Sequence, residues 1–151
     1  YDRTNRNHLP IQEYRLMATR RQVRETVVSI LYSIDLGNEQ ALKYAETVFE
    51  ERKIRNKQRE FGLHLLENVM KNIGSIDQKI QSVMKEWELD RVGSIEKAIL
   101  RLGAYEIAYE DVDKAVVINE AVDIGKQFGA ENSGKFINGI LDAIAKTKGA
   151  A

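Results

Sequence analysis

Cysteine is absent from the 151 residues, which excludes disulfides, thiolate nucleophiles, Cys-ligated zinc and iron–sulfur clusters. Apolar runs of the roughly 20 residues that a membrane span needs are absent too, and no secretory signal pattern opens the sequence. The expectation is a soluble, cytoplasmic protein. Net charge is also missing, because 23 Lys and Arg balance 23 Asp and Glu. A neutral chain does not draw nucleic acid to its whole surface, so any such binding requires cations gathered in one place. Proline occurs once, at Pro10, and tryptophan once, at Trp87. Beyond Pro10, glycine alone is left to punctuate helices.

What is present is helical periodicity. Residues 1–16 carry no sustained apolar period and read as a flexible leader, with Met17 a candidate native start. Residues 17–151 read as one all-α domain of about seven helices. Thr19 to Gln22 has capping-box spacing, and Val23, Val27, Ile30, Leu31 and Ile34 give the first helix its apolar face, with Gly37 ending it. Further helices are expected over 39–53 and 56–73, with Gly74 as a C-terminal cap. Ser75 to Gln78 forms a second capping box, opening a helix that buries Ile76, Ile80, Val83, Met84 and Trp87. A central helix follows from Ile95. Ala115 to Ile118 has strand-like composition, but Val117, Ala121, Ile124 and Phe128 continue at helical spacing, so a sixth helix is expected up to Gly129. Gly125 inside it costs about 1 kcal/mol against alanine, which implies local flexibility. The last helix starts near Ser133.

Three chemistries compete for the polar residues. Gly129 to Lys135 has P-loop spacing, but Phe136 stands where a magnesium-binding hydroxyl belongs and the preceding segment reads as helix rather than strand. His8 and His64 are the only histidines, and no Glu or second His lies four residues beyond His64, so a metal site lacks ligands. No carboxylate pair stands out as a general acid and base. The third chemistry is phosphate recognition. Arg15, Arg20, Arg21 and Arg24 cluster without an acid from Leu16 to Arg24, and at about 100° per residue Arg21, Arg24, Val28 and Tyr32 share one stripe. Guanidinium forks suit phosphate and a tyrosine suits an unstacked base, the elements of a single-stranded RNA site. A second run, Arg52 to Arg59, holds five cations among flanking glutamates and reads as a solvated turn.

Several stretches resemble the NusB family of transcription antitermination factors. They are Thr19 to Glu25, Ile30 to Tyr32, Ile95 to Glu106, Val117 to Val122 and Lys135 to Asp142, in family order. The resemblance implies two packed helical bundles, no enzymatic activity and no cofactor. It implies binding to boxA-type single-stranded RNA, pairing with ribosomal protein NusE, and a place in the RNA polymerase antitermination complex on ribosomal RNA operons. Homodimers occur in the family. By resemblance, RNA contacts fall on Arg20, Arg21, Arg24, Tyr32, Lys135 and Phe136, and the NusE-facing acid on Glu96. Phe136 has an equal claim as a core residue beside Ile140 and Leu141. Lys135, at a helix start with Ser133 as cap, suits a phosphate. Arg101 reads as a structural partner of Glu120. The family commonly has a proline before the sixth helix, where this chain has Val112-Asp113-Lys114. Two other readings remain open: a helical protein-interaction module with weak or no RNA binding, and the NusB-like domain of a ribosomal RNA methyltransferase.

Overall fold

The computed structural model describes residues 17–150, so the leader and His8 lie outside the described residues. Helix α1 spans Arg20–Asp35. Its start is the expected capping box, with the Thr19 hydroxyl accepting from the Gln22 N–H at 3.1 Å and the Gln22 side chain accepting from the Thr19 N–H at 2.7 Å. Gly37, at φ +97°, turns the chain away from it. Helix α2 covers only Ala45–Glu51, because residues 39–44 form turns. There the Asn38 side chain accepts from the Gln40 N–H at 3.1 Å, a local bond that competes with helix formation.

Helices α3, Asn56–Lys71, and α4, Ile73–Ser82, follow almost without a break. Gly74 and Ser75 therefore lie inside α4, and Ser75 caps nothing; its hydroxyl meets the Tyr109 hydroxyl instead. Since α4 stops at Ser82, Trp87 is carried into a loop and is 60% exposed rather than buried. After a short 3-10 turn at Leu89–Arg91 comes α5, Ser94–Tyr109. Helix α6, Lys114–Phe128, opens on Asp113, whose carboxylate accepts from the Ala115 N–H at 2.9 Å and so starts the helix without a proline. Helix α7 is Ser133–Ala150. No strand occurs among the described residues.

The helices form two bundles, α1–α4 and α5–α7, with α5 packing against α1 and α4 on one side and α6 and α7 on the other. Ile99, Leu100 and Ile107 of α5 are at most 1% exposed. Burying a side chain of this size contributes about 1.5–3 kcal/mol. Gly125 is a packing position rather than a loose point: a Cβ there would stand 2.5 Å from Ile137 Cδ1, so its absence lets α6 and α7 close.

Candidate nucleic-acid interface

At the N-terminal end of α1, Arg20 is exposed and lies over the Phe61 ring at 4.3 Å from its centroid. A cation so placed over an aromatic face gains about 0.5–1 kcal/mol and keeps its outward N–H groups free to meet a ligand. Arg21 is half-exposed and already engaged. It binds Glu120 of α6 through two contacts, one of them Nε to Oε1 at 2.9 Å, and Asp123 at 2.9 Å. The hydrogen bonds with Glu120 hold the Arg21 pKa above its ordinary value and the Glu120 pKa below its own.

Arg24 does not belong to an exposed stripe. It is 4% exposed, and Nε and Nη2 donate to Glu106 of α5 at 2.9 and 2.8 Å, while Nη1 stands 3.7 Å from Glu120. Val28, one turn on, is 2% exposed. The face that Arg21, Arg24, Val28 and Tyr32 share is thus mostly the seam between α1 and α5–α6, and the guanidinium turns inward because two carboxylates wait there. Glu120 being taken, Arg101 pairs elsewhere: Nε and Nη2 donate to Asp77 at 2.9 Å each, and Nη1 reaches Asp35 at 3.4 Å.

The remaining residues gather at the other end of the molecule. Asp35 accepts from the Ser94 hydroxyl at 2.6 Å and from Lys97 at 3.4 Å, so α1 runs antiparallel to α5. Tyr32, 37% exposed, lies near this end of α1 on the flank that faces the turns before α2. Glu96 is at this end too. Its carboxylate accepts from the Ala130 N–H at 3.2 Å and from the Ser133 hydroxyl. Burial opposes the charge on Glu96, but these bonds outweigh it and hold its pKa below the usual range. Ser133 consequently serves Glu96 instead of capping α7, and a carboxylate already fills the anion-binding turn that mimics a P-loop. Lys135 projects exposed from this turn, and Phe136 is half-buried against the core. Glu96 and Glu106 are ten residues apart on α5, so at 1.5 Å per residue the two cationic ends are separated by about 15 Å.

His64 is exposed, with Nε2 at 2.8 Å from Glu110, and no cluster of three metal-ligating side chains occurs among the described residues. The run Arg52 to Arg59 is only partly self-neutralised. Arg55 and Arg59 pair with Glu50 at 3.3 and 3.0 Å, whereas Arg52 donates to the Thr26 hydroxyl at 3.1 Å and Gln58 to the Ala18 carbonyl at 3.2 Å. These bonds lay the second basic run against α1, a contact that no local spacing announces. Phe61 beneath Arg20 was equally hidden, since its spacing marks it only as core.

The sequence pattern of the NusB family matches residues 21–146. The chain is 55% identical over 130 residues to the transcription antitermination protein NusB of Nitratiruptor sp., covering 86% of this chain and 94% of that protein. It is 54% identical over 132 residues to NusB of Sulfurimonas denitrificans, covering 87% of this chain and all of that protein. Among solved structures, T. maritima NusB superposes with a TM-score of 0.80 at 33% identity, covering 86% and 92% of the two chains. A crystal structure of antitermination factors NusB and NusE in complex with double-stranded RNA matches with a TM-score of 0.76 at 34% identity, covering 85% and 96%.

Proposed function

The chain belongs to the NusB family, and on that premise we propose that it is a transcription antitermination factor binding boxA-type RNA together with ribosomal protein NusE. The observation that carries this reading is the likeness of the whole α1–α7 body to a protein crystallised with NusE and RNA. The relatives matched along nearly their full length are named transcription antitermination protein NusB, which favours the antitermination reading over that of a methyltransferase domain. The role is adaptor-like and non-enzymatic, exercised in the cytoplasm on RNA emerging from RNA polymerase.

Locally, Arg20 and Lys135 supply exposed charge for phosphates, Arg21 adds a guanidinium that exchanges a carboxylate for a phosphate, and Tyr32 adds a ring for a base. Phe136 supports the turn that presents Lys135. Glu96 fixes that same turn, and its outer edge is the acid nearest a protein partner docking at this end. Arg24 is a structural residue in this scheme.

The test is fluorescence anisotropy of a short boxA-like RNA, with and without NusE, against a scrambled RNA of equal length. The expected result is tighter binding of the boxA-like RNA, strengthened by NusE. Equal affinity for both RNAs with no response to NusE would overturn the reading.

A further inference from the structure

A groove of about 320 Å³ opens between α1 and α2 on the flank of α1 that carries Ser29 and Tyr32. Its walls are Tyr32 from α1, Tyr44 from the turn before α2, the amide side chains of Asn38 and Gln40, and Arg52 just beyond α2. The tyrosines are 37% and 51% exposed, unusual for rings lining a concave site. Among the described residues Arg52 binds only the neutral Thr26 hydroxyl, and no carboxylate lies within salt-bridge reach of Arg52 or its neighbour Lys53. Lys43 stands 5.6 Å from the Tyr44 ring centroid.

We propose that this groove takes one unstacked nucleobase of a single-stranded RNA against Tyr32 and Tyr44, with Arg52 at the flanking phosphate. The proposal rests on the RNA-binding function above and extends the RNA path from Arg20 along the basic turn to a site that no end of α5 provides. The chemistry favours a nucleotide over an acidic peptide. Aromatic rings present flat faces to a base, neighbouring amides pair with its polar edge, and a guanidinium without a carboxylate partner matches a phosphate. An acidic peptide has use for the cations Arg52, Lys43 and Lys53 but not for the two flat ring faces.

Two measurements test it on the full chain, with thermal unfolding to verify that each variant folds. In anisotropy titrations with a short single-stranded oligouridine, Tyr44→Ala is expected to weaken binding by about 5- to 150-fold, the range of one lost stacking contact, and Tyr44→Phe to recover most of the loss. Arg52→Gln is expected to flatten the log–log salt slope by about 0.7. With 5-iodouridine in the same RNA, photo-cross-links are expected on Tyr32 or Tyr44. If the unaltered protein binds the RNA, Tyr44→Ala binds it equally well and the cross-links fall elsewhere, the groove is overturned while the RNA-binding function stands. If Tyr44→Ala weakens NusE binding and leaves RNA binding intact, the groove is a protein-docking site and the proposal fails. Absence of RNA binding by the unaltered protein sinks both.

Discussion

Arg24 of α1 and Glu106 of α5 face each other inside the protein with side chains 5% and 2% exposed, bound through both nitrogens of one guanidinium edge. The pair joins the two bundles, and Glu120 of α6 adds a second carboxylate 3.7 Å away. An arginine that sequence spacing assigns to a ligand is thereby a clamp between helices.

Removing one member of such a pair leaves the other charge buried alone, which typically costs 3–5 kcal/mol. Arg24→Ala is therefore expected to shift the urea midpoint strongly downward, and Arg24→Leu combined with Glu106→Leu to restore much of the stability. A midpoint unchanged by Arg24→Ala would show that the clamp contributes nothing.

Four phosphate contacts to single-stranded RNA would give a log–log salt slope near −3. Taking away Arg24 leaves three cations for phosphate on this surface, Arg20, Arg21 and Lys135, and a slope of about −2, or about −3 with Arg52. Arg20→Ala should flatten the slope by about 0.7. Measuring affinity across a salt series decides the count, and a slope that stays at −3 in Arg20→Ala would reject it.

Acid should loosen the seam. The Arg21 hydrogen bonds hold the Glu120 pKa below its ordinary value, and Asp35 is held low as well, burial being outweighed by the Ser94 hydroxyl, Lys97 and Arg101. Carboxylates depressed in the folded state contribute stability that is fully present above their unfolded pKa of about 4 and is lost as pH falls through the folded values. The melting temperature should be flat from neutral pH down to about pH 5 and fall below about pH 4, less steeply in Glu120→Gln. An equally steep fall in that variant would remove Glu120 from the account.

Gly62 of α3 lies where α1 and α2 close in. A Cβ there would stand 2.5 Å from Phe49 Cε1 and 3.0 Å from Val23 Cγ1, both of them side chains with no exposure. Gly62→Ala is expected to destabilise by about 1–3 kcal/mol despite alanine's better helix propensity. Chemical denaturation reads the sign directly, and a stabilised variant would mean that Phe49 moves aside freely.

The helices were legible where local chemistry decides them. Thr19 and Gln22 set the start of α1 by bonds spanning three residues, and the apolar periods of α5 and α6 placed both helices. Legibility failed where distant contacts decide. Ser75 carries the sequence mark of a cap, but Asn72 already continues the chain into α4 and Tyr109 claims the hydroxyl. Arg21 and Arg24 look free in the acid-free stretch from Leu16 to Arg24; the acids that neutralise them arrive from α5 and α6, 82 and 99 residues later. Tyr32 and Lys135 show the reverse case, since their exposure depends on no remote partner.

Because α5 is the wall that both bundles share, neither half has a complete interior without it. Heating or denaturant should consequently melt the body in one cooperative step, with the same midpoint by circular dichroism and by Trp87 fluorescence. Evolution can then vary the outer helices of either half freely only while this shared wall keeps its shape.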